Sequence, residues 1–209
     1  MHCLINNIMT FKKSLLALAV SGFCFGIFAQ DIQLPKPVTT GGMPLMEAIA
    51  ARKSSREFDN SRNLSHQQLS DMLWCAWGFN RPGKRTVPTA MNLQEASIYV
   101  MTPEAAYKYD PESNKLIVIN KGDFRKQASK QEFAENATLN IVMVSDTGKQ
   151  TKPVYGGVTL GAITQNIYLW CASHGIGTVV RGGFDGDALA EILKLGSNEK
   201  VYLVQTVGY

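Results

Sequence analysis

The sequence predicts one α+β domain, and three observations carry that prediction. Helix-like and strand-like segments succeed one another without the strict βαβ alternation that a parallel sheet demands. The 209 residues are 45% apolar, enough to bury one core and unlike a disordered or fibrous chain. No internal repeat or second low-complexity stretch divides the chain.

Taken in order, residues 31–43 (DIQLPKPVTTGGM) are rich in Pro, Gly and Thr and lack periodicity. They are expected as an extended arm leading to Pro44 at a helix start. A short helix follows over Leu45–Arg52. The next is the clearest: Leu69, Met72, Leu73 and Ala76 repeat at helical spacing before Gly78. Ser65 with Gln68 makes a capping box, and Leu64 with Leu69 a hydrophobic staple. After a loop holding Pro82, Gly83 and Pro88, Ala96–Met101 is expected as a strand. Tyr107–Tyr109 and Leu116–Ile119 flank the turn-forming Asp110-Pro-Glu-Ser-Asn114 as a hairpin. Residues 121–136 are polar and partly helical, a candidate lid. Thr138–Ser145 has the continuous apolar run of a buried strand. Gly157–His174 is expected as a long helix, apolar nearly all round and ended by Gly175; such a helix needs cover on every side. A strand over Ile176–Val180, a helix over Asp187–Leu195 stopped by Gly196, and a strand over Lys200–Gly208 complete the order.

Ahead of the arm, Lys12-Lys13 and the apolar run Ser14–Ala29 have the n-region and h-region of a secretory signal. The run is short for a bilayer span, and Gln30-Asp31 with two prolines soon after suits removal. Residues 1–30 are therefore expected as a cleaved signal peptide, cut near Ala29 or Gln30, with translation beginning at Met1 or Met9. The mature chain is expected to be exported and periplasmic, with residues 44–209 as its domain. Nothing in the h-region itself excludes an uncleaved anchor. Phe23 before Cys24 disfavours lipidation. Removal of this segment takes two lysines and no acid from a formal charge of +4, so the mature chain is near neutral.

No basic run exceeds two residues, which argues against nucleic acid and against a polybasic membrane patch. No Cys-x-x-Cys pair offers half a zinc site, so no structural metal is expected. Cys75 and Cys171 fall in apolar helical patterns and are expected as buried unpaired thiols, although an oxidising compartment would permit a bridge between them. There is no Gly-x-Ser-x-Gly elbow, His-Glu-x-x-His, Walker loop or Gly-x-Gly-x-x-Gly after a strand, which removes the hydrolase and nucleotidase classes those motifs serve. His66 at a helix start and His174 at a helix end suit capping and dipole roles. No catalytic side chain is named.

Three segments carry chemistry. Arg52-Lys-Ser-Ser-Arg-Glu-Phe58 gathers three cations and two hydroxyls in five residues past a helix. A dianionic phosphate wants that set: guanidinium forks, a lysine point charge and short hydroxyl donors. A solvated basic helix end is the plain alternative. Arg85-Thr-Val-Pro-Thr-Ala-Met-Asn-Leu-Gln-Glu95 sets the amides of Asn92 and Gln94 beside a proline, suited to a heterocycle edge of alternating carbonyls and N–H groups. Val179-Val-Arg-Gly-Gly-Phe-Asp185 places paired glycines after a strand, where backbone N–H can approach a flat ligand. An ordinary loop and a strand-to-helix turn are the plain readings of these two.

Together the segments resemble the FMN-dependent nitroreductase superfamily, and within it the branch of azoline (thiazole/oxazole-forming) dehydrogenase-like proteins. Arg52–Phe58 is similar to the family's Arg-Arg-Ser-x-Arg-x-Phe. Leu73-Trp-Cys-Ala-Trp-Gly78 and Arg85–Asn92 are similar to the branch's Leu-Trp-Ala-Ala-x-Gly and Arg-Thr-x-Pro-Ser-Ala. Gln165-Asn166 and Gly175-Ile-Gly177 also fit, and the likeness runs from Met43 to Tyr209. It implies a mostly antiparallel sheet flanked by helices, and a homodimer with FMN at the subunit interface, which would cover the all-apolar helix. It implies that Arg52, Lys53, Ser54 and Arg56 hold the phosphate and ribityl chain, and that Pro88, Thr89, Ala90, Asn92 and Gln94 contact the flavin, in part from the partner subunit. The Gly182-Gly183 backbone would face the ring near N5. The sequence departs from many members in having no Lys or Arg after Val207-Gly-Tyr209; Arg85 is a candidate substitute on the phosphate. The implied activity is ping-pong electron transfer between a small-molecule donor and acceptor, with NAD(P)H as the family's donor. Export conflicts with that donor, because nicotinamide pools are cytosolic. A flavin-sequestering protein of the same fold, and a domain with an empty site, are the other readings the residues leave.

Overall fold

The computed structural model describes residues 29–209; the predicted signal lies outside the described residues except for its last two positions. In chain order the elements are β1 (Ile32–Gln33), α1 (Leu45–Ala51), α2 (His66–Trp77), β2 (Phe79–Arg81), β3 (Lys84–Arg85), β4 (Ala96–Met101), β5 (Ala105–Asp110), β6 (Lys115–Lys121), α3 (Phe133–Asn136), β7 (Leu139–Asp146), α4 (Pro153–Ser173), β8 (Gly177–Arg181), α5 (Gly186–Ile192) and β9 (Glu199–Gly208). Seven strands form one sheet in the order β1-β6-β5-β4-β7-β9-β8, and every neighbouring pair is antiparallel. The α+β class and the sheet flanked by helices are as expected.

Alternation along the strands divides the core in two. Ile98, Val100, Ile141, Met143 and Val207 face Leu160, Ile163 and Ile167 of α4 and Leu69, Met72 and Leu73 of α2. Tyr99, Met101, Val142, Val144 and Val204 face Leu189 and Leu193, from and just after α5. Because β7 is central and covered on both sides, it is buried continuously from Leu139 to Ser145. That is why its sequence is an unbroken apolar run. The α2 cap forms as its spacing predicts: Ser65 Oγ accepts from Gln68 N at 3.2 Å, and Gln68 Oε1 accepts from Ser65 N at 2.9 Å.

Three local readings change. The arm is extended, but Ile32 and Gln33 pair with Leu116 and Lys115 of β6, and Leu34 is buried; two residues give no visible period. The loop after α2 contains the β2–β3 hairpin around Pro82-Gly83. Helix α4 starts at Pro153, four residues before the expected Gly157. Proline suits a first turn, where its missing N–H has no intrahelical role, so Gly156 and Gly157 lie inside the helix.

One chain does not cover α4 completely. Val154, Tyr155 and Val158 are exposed, as are Gly157, Gly161 and Gln165 in the same stretch. On α1, which packs against α4, Leu45, Met46 and Ile49 are exposed as well. Among the described residues Cys75 and Cys171 are free, Cys171 buried and Cys75 half-buried. Burial pushes both thiols up, Cys75 to about 11. His174 ends α4 with Nδ1 2.8 Å from Trp170 O and its ring stacked on Trp170. Among the described residues no helix is long and apolar enough to cross a membrane.

Candidate functional site

The cationic segment 52–56 is placed by the outer edge of β8. As the last strand of the sheet, β8 has one row of backbone groups with no strand beside it. Thr178 O accepts from Ser55 N at 2.9 Å, and Tyr209 O accepts from Asp59 N. Since Gly177 pairs with Gly208, the segment runs antiparallel to β8. Residues 52–54 therefore lie toward Val180 and the Gly182-Gly183 turn. Tyr168 of α4 fixes that end: its hydroxyl accepts the Val180 N–H at 3.0 Å and lies 2.8 Å from Ser54 Oγ. The Arg52 guanidinium stands 5.2 Å from the centre of the Tyr168 ring. A Cβ on Gly177 would come within 3.3 Å of the Ser55 side chain, so the close approach of loop to strand uses the missing side chain.

Arg52, Lys53 and Arg56 form no ion pair among the described residues, and Lys53, Ser54 and Arg56 are exposed. Beside their end of the strand, Gly182 and Gly183 are exposed too, with no atom within 4 Å of where a Cβ would stand. Two of the three predicted segments thus meet at one place on one chain. A cleft of about 330 Å³ lined by Lys53, Ser55, Tyr168 and Gly177 opens alongside.

The third segment forms a separate unit. Arg85, half-buried, lies over the rings of Phe79 and Trp77 at 3.9 and 4.8 Å. Its Nε donates to Gln94 Oε1 at 2.9 Å, and its Nη1 to Trp77 O at 3.3 Å; burial lowers its pKa. Gln94 is the hub. Its Nε2 donates to Gly83 O at 2.9 Å and to Asn92 Oδ1 at 3.3 Å, and its backbone N–H to Thr89 Oγ1 at 3.2 Å. Thr89 precedes the short 3₁₀ turn of Ala90–Asn92. Met91, Asn92 and Gln94 have φ of 55°, 58° and 48°, three left-handed non-glycine residues within four positions. Such strain collects at binding and switch regions. Met91 is 87% exposed at the tip. Arg85, Pro88, Thr89, Met91 and Asn92 help line a cleft of about 570 Å³.

The structure joins Arg85, Thr89, Asn92 and Gln94 to one another but not to residues 52–56. Among the described residues no hydrogen bond, ion pair or ring contact links the two groups. The first group is anchored on α4 through Tyr168, and the second on the end of α2, where Thr86 N donates to Gly78 O at 2.9 Å and Trp74 Nε1 to Phe79 O at 3.0 Å.

Sequence reading missed Tyr168. Its one signal is a phenol within an otherwise apolar helix face, since a buried tyrosine hydroxyl needs a partner. Arg181, quoted in the third segment but given no role, is 8% exposed and bonded to neutral acceptors. Burial lowers its pKa to about 10. The expected lid, residues 121–136, touches the turn: Lys130 N donates to Gly183 O at 3.3 Å.

Known proteins share this architecture. Residues 49–209 match the nitroreductase family. A protein of Methanocaldococcus jannaschii assigned as a nitroreductase is 31% identical over 196 residues, covering 85% of this chain and 96% of the relative. A crystal structure of a Ralstonia eutropha protein with the same assignment aligns with a TM-score of 0.82 at 38% identity, over 88% of this chain and 90% of that one. A Desulfovibrio desulfuricans protein, also assigned as a nitroreductase and crystallised in complex with FMN, shares the fold at a TM-score of 0.61 and 17% identity, over 80% of this chain and 87% of that one.

Proposed function

The chain belongs to the nitroreductase family of oxidoreductases, and from that premise we propose that it is an exported, homodimeric FMN enzyme that transfers electrons to or from a small organic molecule. The observation that carries this is the cationic loop laid along the β8 edge: three cations without a carboxylate partner, leading into an open Gly182-Gly183 backbone.

The residues fit the cofactor. Uncompensated guanidinium and ammonium groups with a serine hydroxyl suit a phosphate and a polyol chain, and glycines free of neighbours suit a flat ring. Arg52, Lys53, Ser54 and Arg56 would hold the phosphate and ribityl chain, with Tyr168 setting the height of Ser54. The Gly182-Gly183 backbone would face the ring near N5. Bound FMN would supply the redox chemistry, accepting electrons from a donor and yielding them to an acceptor in alternate half-reactions. What the chain supplies is grip, orientation and an opening of defined shape.

A second copy completes the arrangement. Pro88, Thr89, Ala90, Asn92 and Gln94, held apart from residues 52–56 in one chain, would reach the flavin of the partner, with Arg85 stiffening their loop. Helix α4 supports this. Glycine inside a helix costs about 1 kcal/mol relative to alanine, yet Gly157 and Gly161 have nothing within 4 Å of a Cβ position. Close approach of another molecule would offset that cost, and Val154, Val158, Leu45, Met46 and Ile49 supply apolar surface around it. The azoline dehydrogenase-like branch rests on Leu73–Gly78 and Arg85–Asn92. The cleaved signal of residues 1–30 and the periplasmic location rest on Lys12-Lys13 and the apolar run after them.

The test is an absorption spectrum of the mature protein purified under native conditions, with and without NADH in the absence of oxygen. Flavin bands that a donor bleaches and a nitroaromatic or quinone restores over many cycles are expected. A colourless protein would overturn the cofactor. Bands that persist with every donor tried would reduce the protein to a flavin holder. If only a non-nicotinamide donor bleaches them, export and chemistry are reconciled.

A further inference from the structure

Packing holds residues 121–136 at few points: Phe124 packs, half-buried, against the second core cluster, and the Phe133 ring lies 6.0 Å from that of Phe58. Of these sixteen, only Ala128 and Ala134 are buried, and alanine buries little apolar area. Both alanines are instead held by their carbonyls. Ala128 O accepts from Arg181 Nη1 at 3.1 Å, and Ala134 O accepts from Asn140 Nδ2 at 2.9 Å. The two donors are one unit: Arg181 Nη2 donates to Asn140 Oδ1 at 2.8 Å and to Thr206 Oγ1, and Thr206 Oγ1 donates to Asn140 Oδ1. The Phe133 ring lies 5.6 Å from the guanidinium.

This is an unusual use of a buried cation. None of its acceptors is charged, it has no ion pair among the described residues, and its Nε has no hydrogen-bond partner. An apolar side chain of similar volume would fill the site at lower desolvation cost, so packing alone does not account for arginine here. Position does. Arg181 is the last residue of β8, directly before Gly182-Gly183, and Gly183 O accepts from Lys130 N of the same segment. The strand end that presents the paired glycines and the segment beside them are therefore clasped by one side chain. Because the clasp uses carbonyl acceptors, water can replace each bond when the segment lifts, and the bonds re-form when it returns.

We propose that Arg181 is a positioning residue: it latches residues 121–136 against the Gly182-Gly183 turn, so that the state of this lid and the placement of the turn are set together. For catalysis the inference rests on the flavin reading of that turn; the latch itself does not.

The experiment compares the native mature protein with Arg181→Met and Arg181→Lys, using limited trypsin digestion and steady-state kinetics. Cleavage after Arg125, Lys126 and Lys130 reports the lid. Cleavage after Lys84, in β3, and after Lys149, before α4, both exposed, is the control for general loosening. The latch predicts lid cleavage faster by on the order of tenfold in the Met variant and by less in the Lys variant, with control sites unchanged, as follows from losing charged hydrogen bonds to a locally opening segment. It also predicts a several-fold higher KM for the acceptor with little change in kcat. Should the Met variant fail to fold, the Lys variant and Thr206→Val, which removes one partner of the fork, carry the same comparison. Unchanged lid cleavage, or lid and control sites accelerating together, overturns the latch. A native protein without flavin overturns the functional reading instead, while the cleavage result still decides the latch.

Discussion

The two halves of the candidate site are built in opposite ways. Residues 52–56 make almost no bonds among themselves; they take their shape from β8, through Thr178 O, Val180 N and the Tyr168 hydroxyl. Residues 79–94 lean on the end of α2 only at their start, through Trp74 Nε1 to Phe79 O, Thr86 N to Gly78 O and Arg85 to Trp77 O. Their shape comes from one another, with Gln94 tied to Arg85, Gly83, Asn92 and Thr89, and with three residues in left-handed conformation. A loop templated by a sheet is ordered by the chain that holds it. A self-stitched, strained loop with an exposed methionine at its tip is made to be presented outward. The contrast is the one the proposed dimer would use, with one half-site held by its own chain and the other offered to a partner.

The comparison breaks most sharply at α4. Gly161→Leu adds helix propensity at an exposed position where a Cβ meets nothing within 4 Å in one chain, but it should block close approach of a second. The expected loss is about 1–3 kcal/mol of overpacking in each copy. Light scattering should show monomer, and flavin should be lost although neither loop was touched. A Gly161→Leu protein that stays dimeric and yellow would separate the exposed helix face from the site. Next comes Arg52→Ala. Removing one charged phosphate donor should weaken flavin retention by about 2 kcal/mol, roughly thirtyfold in Kd, as measured by fluorescence on dilution. Because Arg52 otherwise only overlies the Tyr168 ring, the melting temperature of the flavin-free protein should hardly move. Unchanged retention would discredit the phosphate shell.

Gln94→Ala attacks the stitched half. Loss of its internal bonds should cost about 1 kcal/mol and free the Arg85 side chain, so both flavin affinity and the melting temperature should fall. An effect on affinity without one on melting would mean Gln94 acts on the ligand directly. The smallest change has the opposite sign. Met91 stands at φ 55° with its side chain in solvent. Met91→Gly relieves a left-handed penalty of about 1–2 kcal/mol while adding unfolded-state entropy of about 0.4–1 kcal/mol. A rise in stability of about 0.5 kcal/mol is expected by denaturant titration. A fall would show that the methionine side chain is held in the assembled protein.

How legible was this from residues alone? Periodicity and cap chemistry located α2, β4, β7 and β9, because Ser65, Gln68 and the apolar runs act locally. The segment proposed for phosphate was visible through Arg52, Lys53, Ser54 and Arg56, three cations and a hydroxyl within five residues. What gives that segment its place was not visible: Tyr168 and Val180 lie more than a hundred residues away, and no local pattern links them to Ser54. The β2–β3 hairpin was hidden because strands of three and two residues carry no period. Gly156 and Gly157 disguised the start of α4, since glycine's low helix propensity reads as a boundary where packing overrides it. Arg181 was legible as a charge but not as a buried one.

The sheet has two borders, and each is closed by a segment with other duties. On one side the two-residue β1 and the arm around it cap β6, with Asp31 Oδ1 accepting from Val118 N and Lys115 bridging to Asp31 at 2.9 Å. On the other, the cationic loop occupies the free row of β8. A variant whose loop no longer held to Thr178 and Tyr168 would bare a strand row ready to stack on a neighbouring molecule. Those few bonds thus guard against clumping as well as shaping a surface, and their loss would shorten the useful life of a sample.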